Sequence, residues 1–209
     1  MLTITNEDNM SLMSRYPDQH FDLALVDPPY GIGQDWKKHR GGSFRRLETQ
    51  YQNTDIPSEE YFSELFRVSK NQIIWGGNYF TEHLPPTNAW IVWNKLKNAH
   101  IQSMGEMAWT SFSRTLRIYD LVWDGYKKCE QIRPWHPHQK PIRLYAWLLS
   151  EYATAGDKIL DTHLGSGTIA IACSDMGYDL TACEENTPFY EEAMKQIGLR
   201  TAQMKIELS

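Results

Sequence analysis

An apolar run from Phe21 to Val26 stops at Asp27-Pro28-Pro29-Tyr30, and these four residues constrain the fold more than any others in the chain. Prolines lack an N–H donor and hold φ near about −65°, so neither strand nor helix continues through a pair of them. Pro28 also drives Asp27 toward extended geometry. The run therefore reads as a buried strand that ends in a stiff turn. That turn presents a carboxylate, backbone carbonyls with few local partners, and a flat phenol ring in one place. The set suits an amino group on a flat heterocycle: acid and carbonyl accept the two N–H hydrogens, and the ring stacks on the base. The competing reading is a plain proline turn that closes a strand.

Around this turn, strand and helix signals alternate, which predicts an α/β fold with a largely parallel sheet. Strands are expected at 72–75, 89–93, 158–160 and 180–183, with 104–112 and 118–123 as a strand pair. Ser58 is expected to cap a helix with Tyr61, Phe62, Leu65 and Phe66 on one face. Pro141 opens another, with Ile142, Tyr145, Leu148, Leu149 and Tyr152 at helical spacing. A third spans 168–176 and stops at Gly177; a fourth is capped by Thr187, starts at Pro188 and ends at Gly198. The 209 residues suffice for one core, so 1–209 reads as a single domain. No apolar run approaches the roughly 20 residues of a membrane span, and no signal peptide is evident. Cys129, Cys173 and Cys183 are an odd count without a CxxC, which favours a reducing cytoplasm. With a net charge of −5, any nucleic-acid binding must come from a local patch.

A second constellation, Asp161-Thr162-His163-Leu164-Gly165-Ser166-Gly167-Thr168, joins a predicted strand to a predicted helix. Its glycines let backbone approach a ligand closely, and the helix start brings N–H groups. Glu184, at the end of the next strand, has the offset at which an acid meets ribose hydroxyls. This half should bind an adenosine-containing cofactor. Ala170 stands where a third glycine would be, a position that tolerates alanine, so this motif alone leaves a nicotinamide cofactor open. A tight turn with a satisfied Asp is the bland alternative.

Together the two motifs resemble the S-adenosylmethionine-dependent amino-methyltransferases of DNA. The order, Asp27–Tyr30 before Asp161–Thr168, is similar to the family's β class, a circular permutation of the others. His136-Pro137-His138-Gln139-Lys140-Pro141 resembles the family's His-Pro-x-Gln-Lys-Pro run, and Asp8, Asn9 and Pro17-Asp18 resemble its lead-in. The resemblance covers nearly the whole chain. It implies a Rossmann-like class I methyltransferase fold, with a mostly parallel sheet, helices on both faces and permuted motif order. It implies S-adenosylmethionine as cofactor, held by Asp161, His163, Gly165, Ser166, Gly167, Thr168 and Glu184, with His138, Gln139 and Lys140 toward the methionine end. It makes Asp27, Pro28, Pro29 and Tyr30 the catalytic turn. One departure stands out: the family usually has Asp-Pro-Phe where this chain has Asp161-Thr162-His163. His163 could keep the packing role of that Phe, titrate, or reshape the pocket.

The resemblance also bears on the target. Asp in the first motif position goes mostly with adenine N6 and Ser mostly with cytosine N4, so adenine is expected and cytosine N4 is the alternative. Cytosine-C5 chemistry uses a Cys after Pro, whereas Lys128, Ala172 and Ala182 precede the cysteines here. The densest basic run, Lys37, Lys38, Arg40, Arg45 and Arg46, lies in a polar stretch at 31–57 just after Tyr30. It reads as a mobile DNA-contacting loop, against a solvated loop as the bland reading. Lys95 is a weaker DNA-contact candidate, within a minimal target-recognition region at 95–135. His136 and His138 lack a third ligand, so no metal is expected. DNA is the expected partner, with no membrane; a homodimer is compatible. Rival readings are transfer to RNA or a small molecule, and an inactive cofactor-binding regulatory module.

Overall fold

A computed structural model describes residues 1–32, 56–96, 103–124, 127–128, 134–136 and 138–207. In chain order these form β1 (Leu2–Thr5), α1 (Asn9–Ser14), β2 (Phe21–Val26), α2 (Glu59–Val68) and β3 (Ser69–Trp75). A short 3-10 turn (Gly77–Tyr79) is followed by β4 (Ile91–Asn94), β5 (Gly105–Thr110), β6 (Arg117–Asp120), β7 (Trp123–Asp124) and β8 (Lys127–Lys128). Then come α3 (Ile142–Tyr152), β9 (Lys158–Asp161), α4 (Thr168–Met176), β10 (Asp179–Cys183) and α5 (Thr187–Glu207).

Eight strands make one sheet in the order β1-β10-β9-β2-β3-β5-β4-β6. The first five are mutually parallel, β5 is antiparallel to β3 and β4, and β6 is parallel to β4. The two-residue β7 and β8 pair separately. This is the expected mostly parallel α/β sheet, with the Asp27 turn preceding the glycine turn in the chain.

The alternation of strand side chains sorts the core into two layers. Leu23 and Leu25 of β2 pack with α3, α4 and α5, as do Ile73 and Trp75 of β3. Ala24 and Val26, with Ile74, pack with Leu12 and Met13 of α1 and with Tyr61, Phe62, Leu65 and Val68 of α2. Helices thus cover both faces. Phe21, Leu23, Leu25 and Val26 are each at most 1% exposed. Each such side chain contributes about 1.5–3 kcal/mol by burial, against about 1 kcal/mol for a typical hydrogen bond. The strand is therefore held by its core, and the proline turn at its end is free to serve a site.

Several element expectations need correction. β1 and α1 carry no signal in the sequence reading, yet β1 pairs with β10 from Leu2↔Leu180 to Thr5↔Cys183. β5 and β6 are not a pair, because β4 lies between them. Ser58 is the N-cap residue of α2, as expected, but makes no side-chain cap bond to it. Asn186 rather than Thr187 caps α5: its Oδ1 accepts from Phe189 N at 3.2 Å, while the Thr187 hydroxyl donates to Asn6 at 2.8 Å. α5 also runs through Gly198, which has no left-handed φ and so does not stop the helix.

Candidate active site

β9 and β2 are neighbours from which the chain departs in opposite directions, through α4 to β10 and through α2 to β3. Such a switch point leaves a crevice at the carboxyl ends of the two strands. Both sequence motifs stand there, Asp27 just after β2 and Asp161 closing β9.

On the β2 side, the Tyr30 hydroxyl donates to Asp27 Oδ1 at 2.5 Å, and Lys140 Nζ pairs with Asp27 Oδ2. The same ammonium lies 3.2 Å from Glu106 Oε2 and 3.4 Å from the Tyr30 hydroxyl. Glu106, on β5, also pairs with Lys95 through Oε1. Lys140 is 3% exposed, a burial that a lone ammonium could not sustain without its two carboxylates. Burial pulls the Lys140 pKa down, but Asp27 and Glu106 outweigh it and the net shift is upward. Burial pushes the Glu106 carboxyl up, yet Lys140 and Lys95 bring it to about 2. Tyr30 is raised well above an ordinary phenol by burial and then by the Asp27 and Glu106 charges. Its ring stacks on Tyr79, with centroids 5.2 Å apart and planes 15° from parallel. Gly76, at φ +69°, approaches it closely: a Cβ there would lie 2.2 Å from the ring.

On the β9 side, Gly165 and Gly167 both have left-handed φ, and no side chain caps α4. The Glu184 carboxylate accepts from Gly165 N and from Asn186 N, each at 2.9 Å. Asp161 accepts from His163 N at 3.0 Å and is 2% exposed; burial pushes its carboxyl up to about 8. Trp135 Nε1 donates to Ser166 O at 2.9 Å, which ties Trp135 to the glycine turn. Gln139 Oε1 accepts from Trp135 N at 3.0 Å, while its amide nitrogen is buried with no partner among the described residues. A nucleoside carrying an amino acid fits this donor set: buried acids on two strand ends, a left-handed glycine turn, and an unsatisfied amide.

His163 keeps a packing role and adds a polar one. Asn9 Nδ2, which can only donate, lies 3.1 Å from His163 Nε2, so the ring proton belongs on Nδ1, 2.9 Å from the Thr162 hydroxyl. That hydroxyl is 2.7 Å from the Tyr61 hydroxyl, and Tyr61 meets the imidazole edge to face. Burial lowers His163 to about 3, which keeps the ring neutral. His136 packs against Gly165 and Phe189, and burial lowers it and His138. Among the described residues no three potential ligands cluster for a metal.

The structure brings Asp27, Pro28, Pro29, Tyr30 and Lys140 together, and separately groups Asp161, His163, Gly165, Ser166, Gly167, Thr168, Glu184 and Gln139 at the next strand end. His138 is partly buried, and Asp27 and Lys140 both act on its charge. Lys37, Lys38, Arg40, Arg45 and Arg46 lie outside the described residues, as does Pro137. Lys95 turns inward, 9% exposed, with its ammonium on Glu106 and 4.8 Å from the Trp93 ring centre. Sequence reasoning missed Gly76, Tyr79, Trp135 and Glu106. Only Glu106 left a trace, as a carboxylate entering an otherwise core-forming strand.

A model of the N6/N4 methyltransferase family, described as DNA methylase, matches residues 85–195, more than half of the chain. The chain belongs to this family of DNA methylases. The matched span holds Glu106, the 135–141 segment, the glycine turn and Glu184; the Asp27 turn lies before it. Among curated relatives of the methylase, the type II methyltransferase M.HpaI of Haemophilus parainfluenzae is 21% identical over 233 residues, covering 86% of this chain and 69% of that protein. The crystal structure of the M1.HpyAVI–SAM complex superposes with a TM-score of 0.59 at 18% identity, covering 94% of this chain and 100% of that one. The cytosine-N4-specific PvuII DNA methyltransferase superposes at 0.58 with 12% identity, covering 92% and 86%. These structures share the methylase's fold.

Proposed function

We propose that this DNA methylase transfers the methyl group of S-adenosylmethionine to the exocyclic N6 of adenine in DNA. The observation that carries the reading is the Asp27 carboxylate, held by Tyr30 and Lys140 at the end of β2, one strand away from the glycine turn. When bound, S-adenosylmethionine supplies an electrophilic methyl on a positively charged sulfur. Glu184 and Asp161 would hold its nucleoside end, with the Gly165–Gly167 turn beneath it, and the Gln139 amide would serve its polar tail.

An exocyclic amine is a poor nucleophile because its lone pair is delocalised into the ring. Asp27 and the Pro28 carbonyl accept its two hydrogens and localise that lone pair. A carboxylate offers about four acceptor sites, so Asp27 can take an N–H while keeping the Tyr30 hydroxyl. Tyr30 stacks on the base, which must first leave the duplex at a cost of a few kcal/mol. No strong base is required, because the amine becomes acidic only after the new bond forms. Positioning and electrostatics carry the rate. The basic run at 37–46 is proposed to contact phosphate, and 95–135 to read the target sequence.

Asp in the first position of the turn supports adenine over cytosine. The cytosine-N4 reading is favoured by the shared fold with the PvuII enzyme, and a cytosine N4 presents Asp27 with the same NH₂ group. Incubation with plasmid DNA and labelled cofactor, followed by nucleoside mass spectrometry, decides. N6-methyladenine is expected, and Asp27→Ala should abolish it while retaining cofactor binding. N4-methylcytosine overturns the base assignment. Cofactor binding without any transfer to DNA supports an inactive module instead.

A further inference from the structure

We infer that Glu106 is a positioning residue for methyl transfer: it holds Lys140 and, with Lys95, balances the charge around Asp27. The inference rests on Asp27 receiving the target amine. In the structure the ammonium of Lys140 is a donor on Asp27 Oδ2, on the same carboxylate that is to receive the incoming amine. Lys140 can give up that contact only if another acceptor holds it, and Glu106 Oε2 is already 3.2 Å away. Lys95 secures the other Glu106 oxygen and fixes the carboxylate between two cations. Asp27, Glu106, Lys140 and Lys95 together sum to no net charge.

The balance matters at the reacting nitrogen. Its lone pair forms the new N–C bond as the C–S bond breaks, with the C–S electron pair going to sulfur. Positive charge thus arrives on a nitrogen beside Asp27, and the proton already hydrogen-bonded to that carboxylate then passes to it. An unbalanced Lys140 would oppose that charge in a water-poor site, where electrostatic effects are large. Lys140 and Lys95 are 3% and 9% exposed, so solvent cannot replace Glu106. An exposed surface ion pair would contribute little either way.

The test is single-turnover methylation of plasmid DNA at saturating cofactor and DNA. Glu106→Gln should slow transfer about tenfold or more, with cofactor affinity by calorimetry within about twofold of wild type. Removing the extra cation as well, in Glu106→Gln/Lys95→Met, should recover most of the lost rate. Thermal melting of the same proteins provides a readout without turnover: the double variant should melt above Glu106→Gln, since it buries no unpaired charge. A double variant no faster and no more stable than Glu106→Gln overturns the inference, as does a Glu106→Gln rate equal to wild type. The digest that reports the rate also reports the methylated base. A cytosine product therefore revises the base assignment while the charge balance is still judged by the rates.

Discussion

At the scale of single residues, the site depends on contacts that no motif announces. Gly76 combines a left-handed φ with an approach to Tyr30 that leaves no room for a methyl group. Gly76→Ala should cost at least about 1–2 kcal/mol of stability from the backbone alone. It should also push the Tyr30 ring from its place against Asp27. Urea denaturation should show the loss, and methyl transfer should fall further than cofactor affinity does; an equal fall in both would mean that Tyr30 does not act through the base. Asp27, Tyr30 and the glycine turn were legible because prolines and glycines restrict or free the backbone in ways that the residue types alone declare. Glu106 and Tyr79 were not, because their roles arise from neighbours distant in the chain. His163 was legible as a departure, but its pairing with Asn9 was not.

At the scale of elements, the strands buried on both faces could be read as apolar runs, whereas the short or half-exposed ones could not. β1 alternates Leu, Thr, Ile and Thr over four residues, too brief a pattern to separate from a loop. The expected pairing of β5 with β6 failed because sequential strands usually lie side by side, and here β4 is inserted between them. α1 is only six residues long and owes its start to Asp8, whose carboxylate accepts from Ser11 N at 2.9 Å and from the Ser11 hydroxyl at 2.6 Å. Asp8→Ala should cost about 1 kcal/mol, measured as a lower urea midpoint with unchanged slope. Asn9, the first residue of this helix, touches His163, so the variant should also weaken cofactor binding slightly. An unchanged midpoint would show that α1 is held by Leu12 and Met13 alone.

At the scale of the whole molecule, buried titratable groups oppose one another across the pH range. Asp161 goes from 3.8 when unfolded to about 8 when folded, through burial first and the Asp27 and Glu184 charges after it. Between these values the folded state holds a proton that the unfolded chain lacks, so this group's contribution falls as pH rises from about 4 to 8. His163 moves the other way, from 6.5 to about 3, so its contribution is lost as pH falls through that window. Asp161→Asn should therefore gain on wild type in melting temperature between pH 5 and 8, without cofactor. A constant difference between the two proteins would show that Asp161 is ionised throughout. Among the described residues no helix is long and apolar enough to cross a membrane. The sheet order also has a consequence for synthesis on the ribosome. Asp22 and Lys158, 136 residues apart, meet across the β2–β9 pair that carries both halves of the site. At about 5–20 residues per second, β2 waits roughly 7 to 27 s for β9 to be made. Through that interval the backbone N–H and C=O groups on its β9 side have no strand to pair with, so the nascent chain, rather than the finished enzyme, is the species most in need of a chaperone.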